Sequence, residues 1–199
     1  MKRFGMITGM AALAGAGALM VGGAVPSQAA VASSNSVSSS SAVTYKTRYF
    51  SHSSEGYHAS AVLPSTWRSV VLGTWQTRFD DTKQNRMIRF NISYNPNIST
   101  VTALNRKIAA LKKGTRGLHI VGTSTVTMKS TTGQGPMRVS TVVYTYRSGK
   151  DTRWVATRYV GVAGTTTADS EISTAGSTRD AKLLGTVLNK ATVSLTLAG

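Results

Sequence analysis

Hydrophobic and polar positions alternate through most of the chain from Thr44 onward, and alternation of that kind marks β-strands. Tyr45–Phe50 and Tyr57–Leu63 alternate on either side of Ser53-Ser54-Glu55-Gly56, a turn composition, so the two runs predict a hairpin. Leu63-Pro64-Ser65-Thr66-Trp67 ends the second strand, because proline has no N–H to donate to a ladder. Thr74–Phe79 reads as a short strand closed by Asp80-Asp81-Thr82. The cleanest alternation is Arg86–Tyr94, with Ile88, Phe90, Ile92 and Tyr94 facing one way and Arg89, Asn91 and Ser93 the other, as a half-buried antiparallel strand requires. Asn95-Pro96-Asn97 stops it. The period then changes: Val101, Leu104, Ile108 and Leu111 recur at helical spacing, with Ser99 or Thr100 placed to cap the start and Gly114 the end. Three long strands follow, His119–Met128, Met137–Tyr146 and Arg153–Val162, joined by turns at Gly133-Gln134-Gly135-Pro136 and Ser148-Gly149-Lys150-Asp151. Thr165–Thr174 is Thr-rich and admits a further strand. Ser177 opens a last helix with Ala181, Leu184, Leu188 and Ala191 on one face.

Short turns between successive strands imply an antiparallel sheet, and two amphipathic helices imply that its faces are covered. The expected fold class is therefore α+β: about six antiparallel strands flanked by two helices, an α/β/α sandwich. There is no cysteine, so packing alone must hold the domain together.

The N-terminal pattern is different. Lys2 and Arg3 precede an uncharged, Ala- and Gly-rich run from Met6 to Val25, and small residues follow, with cleavage expected near Ala29, Ala30 or Ala32. Positive start, apolar middle and small-residue exit form a secretory signal. The run is long enough for a retained anchor, which needs about 20 apolar residues, but its Gly and Ala content makes it only modestly hydrophobic. The expected organisation is a signal peptide over 1–30, a Ser-rich flexible linker over 31–43, and one α+β domain over 44–199, secreted to the extracellular side. Without cysteine, lipid attachment at the signal junction is not expected.

The run Gly56-Tyr57-His58-Ala59-Ser60-Ala61-Val62-Leu63-Pro64-Ser65-Thr66-Trp67 resembles the opening of PsbP-like domains, in which a strand ends in a Pro-x-x-Trp corner. The order of elements after it is similar too. The resemblance spans about residues 44–197 and is nearest in appearance to secreted proteins and lipoproteins of actinobacteria. It implies a binding or accessory protein rather than an enzyme, and Pro64 and Trp67 as structural positions.

Charge changes the picture most. The chain has 23 Lys and Arg against 7 Asp and Glu; removing Lys2 and Arg3 leaves 21 against 7, a net +14. Such a field attracts polyanions and anionic surfaces. The expected function is that of a non-enzymatic binding or accessory protein of the bacterial envelope, with a basic surface that engages an anionic cell-wall polymer, an acidic lipid surface or an acidic protein; nucleic acid stays among the candidates. The residues expected to carry it are Lys107, Lys112, Lys113 and Arg116, clustered in sequence, and Arg89, Arg138 and Arg158 on the outward sides of long strands.

Chemistry is sparse. His52-x-x-Glu55-x-x-His58 would set two imidazoles opposite each other on a hairpin with Glu55 in the loop, but zinc sites take at least three protein ligands, and two exposed turn histidines are the plainer reading. No metal and no other cofactor is expected. A pair of catalytic carboxylates would have to come from Glu55, Asp80, Asp81, Asp151, Asp169, Glu171 or Asp180, most of them in turns; there is no Gly-x-Ser-x-Gly elbow and no thiol. Trp75 and Trp154 are expected in the core and Trp67 half-exposed, which argues against a tryptophan platform for sugars. Two alternatives remain: a pocket for a small apolar ligand lined by Ile88, Phe90, Ile108 and Val143, and a secreted hydrolase using carboxylate chemistry or the histidines His52 and His58.

Overall fold

The computed structural model describes residues 43–53, 56–94 and 97–197. These belong to one compact unit, Ser41–Gly199. The expected signal peptide and nearly all of the Ser-rich linker lie outside the described residues, as does Glu55.

The hairpin is present as β1 (Tyr45–Ser53) and β2 (Gly56–Pro64). The next strand, β3 (Arg68–Gly73), is one that the sequence pattern leaves unmarked, because nearly all its side chains are exposed and no alternation shows. Then come β4 (Gln76–Asp81), β5 (Arg86–Asn91), the helix α1 (Thr100–Gly114), β6 (His119–Lys129), β7 (Pro136–Ser148), β8 (Asp151–Gly161), β9 (Ser170–Ser177), a 3-10 turn (Thr178–Asp180), the helix α2 (Ala181–Val193) and a short β10 (Thr196–Leu197). The fold is an α+β sandwich with more strands than expected. Seven form one antiparallel sheet in the order β3-β4-β5-β9-β8-β7-β6, and three form a small sheet in the order β1-β2-β10.

The register sorts side chains into two faces. One row runs Ser69, Phe79, Ile88, Thr174, Ala156, Val143 and Gly122; the next runs Val70, Arg78, Arg89, Ser173, Thr157, Val142 and Thr123. Adjacent rows point to opposite faces because the strand period is two. The face of Ile88, Phe90 and Ile172 is covered by α2, through Leu184, Val187, Leu188 and Ala191, and by the small sheet, through Phe50, Ala59, Ala61 and Leu63. The other face is covered by α1, whose Ala103 and Leu104 pack on Val142, Tyr144, Val155 and Tyr159.

Both helices are punctuated as their sequences dictate. Ser99 caps α1, its Oγ accepting from the N–H of Thr102 at 3.1 Å; Ser177 accepts from the N–H of Arg179 at 3.4 Å ahead of α2. The buried stripe of α1 is rotated from the expected one: Thr100, Ala103 and Leu104 face the sheet while Val101 is 40% exposed. The Oγ of Ser140 donates to that of Thr100 at 2.9 Å, and a buried hydroxyl pair of this kind holds the first turn inward.

Two of the three tryptophans, Trp67 and Trp75, exchange their expected places. Trp67 is 3% exposed and belongs to the core, held at the corner by its N–H to the Pro64 carbonyl, whereas Trp75, in the β3–β4 turn, is 41% exposed; Trp154 is half-buried against the core. The apolar-ligand pocket is not there either. Ile88 and Phe90 are buried on the α2 face with Val143 packed beside them, but Ile108 packs on the α1 face, with the sheet in between. Tyr94 also departs from the Ile88 row, because β5 ends at Asn91; its ring lies 5.1 Å from that of Tyr159 on the α1 face.

Candidate anion-binding ridge and cleft at helix α1

The seven-stranded sheet is wider than α1. The helix lies over β7 and β8, so β5 and β9 stay partly open beside it. α1 is pinned at both ends. Before it, the amide of Ala168 donates to the Ile98 carbonyl at 2.7 Å and that of Thr100 to the Thr166 carbonyl at 2.9 Å; after it, the amide of Arg147 donates to the Arg116 carbonyl at 3.1 Å. The opening between helix and sheet is therefore a fixed feature of the fold.

That opening is a cleft of about 250 Å³ lined on the helix side by Lys107, Leu111 and Thr115, four residues apart and so on one stripe, and on the sheet side by Met87, Arg89, Tyr144 and Ser173 among others. Arg89 is held by a carboxylate: its Nη2 lies 3.2 Å from Oε1 of Glu171, whose side chain is 9% exposed against 37% for Arg89. Glu171 in turn accepts from Ser173 Oγ at 3.4 Å, and Ser173 pairs with Thr157 at 2.9 Å. A guanidinium anchored from behind in this way loses less freedom when it meets a ligand. Burial, with Tyr146 and Glu171 adding to it, pushes the Tyr144 phenol up to about 12; burial pushes Tyr159 further up. Tyr144 is therefore a neutral wall of the cleft, and Tyr159 lies buried in the core beneath α1. The cleft shares Met87, Tyr146 and Ala175 with a more open trough of about 600 Å³ that contains Arg78, Asp80, Asp81 and Arg86.

The carboxylates are distributed unevenly. Four of the seven sit in ion pairs on or beside that trough: Asp80 with Arg78, Asp81 and Asp180 with Arg86, and Glu171 with Arg89. Asp169 is consumed by its own loop, accepting from the Val162 amide at 2.8 Å and the hydroxyls of Thr165 and Thr167. By contrast, the stretch 82–150 contains twelve Lys and Arg and no Asp or Glu. On α1 and the loop after it, Arg106, Lys112, Lys113 and Arg116 are exposed and Lys107 is half-buried, and none is in an ion pair among the described residues. The structure adds Arg147, exposed at the end of β7 and clipped to Arg116 by the backbone. Arg147 escapes a reading that looks for basic clusters in sequence; the missing acids between Asp81 and Asp151 are the signal that points to it.

The expected anion-binding residues thus divide. Lys107, Lys112, Lys113 and Arg116 form one ridge, and Arg89 joins it through the cleft. Arg138 is exposed on the same face of the sheet as Arg89, but β8 and β9 separate their strands. Arg158 is on the other face, opposite Ile172 in the register. It reaches under α2, donating to Thr192 Oγ1 at 3.0 Å, Asn189 Oδ1 at 2.5 Å and the Leu188 carbonyl at 3.5 Å, and burial draws its pKa down to about 10. The expected face shared by Arg89, Arg138 and Arg158 does not form, because residues 89 and 158 belong to adjacent rows.

The histidines part in the same way. His52 pairs with Tyr57 and their rings are 4.9 Å apart. His58, the next residue along β2, leaves on the other side, 4.5 Å from the ring of Trp75. One ion cannot bridge the two, and among the described residues no three His, Asp or Glu side chains gather to hold a metal.

No protein-family model and no curated protein matches the chain. Solved structures do. LpqN of Mycobacterium tuberculosis, a protein involved in cell envelope biogenesis, is similar with a TM-score of 0.51 at 13% identity, over 78% of this chain and 92% of LpqN. PA94 of Pseudomonas aeruginosa, a protein of unknown function, is similar with a TM-score of 0.41 at 10% identity, over 79% of this chain and 98% of PA94. The resemblance to PsbP-like domains finds no matching family model. Among the described residues no helix is long and apolar enough to cross a membrane. What the comparisons support is a fold shared with a bacterial envelope protein.

Proposed function

We propose that this chain is an exported, non-enzymatic accessory protein of the cell envelope, whose ridge at α1 binds an anionic partner. One observation carries the reading. A helix whose cations have no carboxylate partner among the described residues borders a cleft in which a buried carboxylate orients Arg89. Cations left uncompensated raise the local potential and draw in polyanions. The fold shared with an envelope biogenesis protein and the secretory pattern of residues 1–30 support the location, and the likeness of Gly56–Trp67 to the PsbP-like opening fits an accessory role. Affinity for an anionic polymer, measured by fluorescence anisotropy across a salt series, should fall linearly on a log–log plot. A double variant Lys112→Gln, Lys113→Gln should flatten that line by roughly 1.5 in slope. Binding that ignores salt, or no binding to any polyanion, overturns the proposal.

A further inference from the structure

Resting on that reading, we infer that the partner is a linear phosphodiester-linked polyol polymer, bound along the ridge with one phosphate seated in the cleft between Arg89 and Lys107. Three features of the surface select this class. The apolar face of α1, through Ala103, Leu104, Ile108 and Leu111, is packed on the sheet. An interfacial helix must instead bury such a face among lipids, so α1 can offer a membrane only its charge. A flat lipid surface also reaches exposed Lys112 and Lys113 but not the recessed pair of Arg89 and Lys107. Base stacking, the sequence-tolerant grip on single-stranded nucleic acid, needs exposed aromatic rings beside the basic track. Among the described residues the large exposed aromatics are Tyr49, Tyr57 and Trp75, on the β1–β2 hairpin and the β3–β4 turn, away from α1, and the two tyrosines that line the cleft are buried (Tyr144) and half-buried (Tyr146) in the sheet.

A thin, flexible polyol chain meets none of these obstacles. Its phosphates can follow Arg106, Lys113 and Arg116 in the open, and one can turn into the cleft. There Arg89 presents N–H donors held in place by Glu171, Lys107 supplies a second cation from the helix, and Ser173 lines the floor. Arginine's planar fork matches phosphate oxygens, and neither cation needs to be created by binding. The ridge supplies affinity for any polyanion, and the cleft supplies preference.

The test compares a defined glycerol-phosphate oligomer with single-stranded DNA of equal charge and with phosphatidylglycerol vesicles, using the purified chain. The oligomer should bind at least tenfold more tightly than the DNA, and vesicles should bind only at low salt. Lys107→Gln, a half-exposed helical position, should weaken oligomer binding about tenfold and DNA binding by clearly less, since DNA loses one ridge cation but no seat in the cleft. A double variant Arg89→Gln, Glu171→Gln, which removes cation and anchor together, should do the same with net charge unchanged. Equal losses for oligomer and DNA, or a vesicle preference, overturn the cleft assignment and leave the ridge standing; no binding to any of the three overturns both.

Discussion

Arg158 should be replaceable by methionine at a gain in stability. Its guanidinium lies under α2 without a carboxylate, and its Nε, buried, has no acceptor among the described residues. A pKa drawn from 12.5 to about 10 corresponds to about 3 kcal/mol against the charged form. The side chain is only half-buried, and solvent screening reduces this to about 1–2 kcal/mol. The hydrogen bonds lost are cheap ones. Thr192 Oγ1 already donates to the Leu188 carbonyl at 2.7 Å, and Asn189 is exposed and regains water. Methionine retains most of the aliphatic stem and orphans no buried group, so Arg158→Met should stabilise by about 1 kcal/mol, raising Tm by roughly 2–4 °C in a domain of this size. Calorimetry at neutral pH reads this directly. Arg158→Ala removes the same charge but leaves a void, and should fall below the wild type. A methionine variant that melts several degrees earlier would show that the bonds to α2 outweigh desolvation, and the reasoning would fail. Polyanion binding provides the second reading: both variants should bind as the wild type does, since Arg158 faces away from α1.

Gly161 ends β8 where the following loop folds back, and a Cβ there would stand 2.3 Å from the Thr167 carbonyl oxygen and 2.8 Å from that of Thr165. Gly161→Ala should therefore cost at least about 3 kcal/mol, seen as a drop in the urea midpoint; a loss under about 1 kcal/mol would mean that the loop yields freely. Ser99→Ala removes the α1 cap and should cost about 1 kcal/mol on the same assay, while leaving α2 untouched. Alkaline pH should unfold the domain through Tyr144 and Tyr159. Both phenols are held above the usual value of 10.0, so above pH 10 the unfolded chain gives up protons that the folded one keeps, and stability falls as pH rises. Tyrosinate absorbance should show these two of the seven tyrosines ionising only as circular dichroism is lost; a smooth titration of all seven ahead of unfolding would refute it.

Where one face of an element is buried and the other wet, its pattern announces it. Ile88 and Phe90, Leu184 and Leu188, and the Ser99 cap are legible for that reason, and so are β7 and β8, whereas the edge strand β6, with no buried side chain, is legible from its length and its Val- and Thr-rich composition. β3 is not, because an edge strand with Arg68, Ser69, Val71 and Leu72 all exposed has no buried face to encode. Trp67 and Trp75 mislead because residue type predicts average burial and not the side of a turn on which a ring falls. The histidine pair fails on parity: with His52 opposite Tyr57, residue 58 is one step off and points the other way. Arg89 and Arg158 fail likewise, since their relative facing depends on the register of β5, β9 and β8, which pair across a chain separation that no local pattern specifies.

The same register explains why the charge is not spread evenly over the fold. β4, β5 and β9 are neighbours, and their juxtaposition lets Asp80, Asp81 and Glu171 neutralise Arg78, Arg86 and Arg89. An arginine-bearing patch at the centre of a sheet needs such partners, because like charges on adjacent strands repel, and Arg78 is directly opposite Arg89. Helix α1 has no such need: Arg106, Lys112 and Lys113 point into solvent, where water and counterions screen them, and Lys107 alone is half-buried at the cleft. A chain with only seven carboxylates thus places four of them, Asp80, Asp81, Glu171 and Asp180, on the arginines of β4 and β5 and leaves the cations of α1 without a carboxylate partner among the described residues. The cleft is where the two arrangements meet, an anchored arginine from the neutralised sheet facing a free lysine from the uncompensated helix. That asymmetry makes Lys107 the more informative residue to change: it lines the cleft and has no carboxylate partner among the described residues.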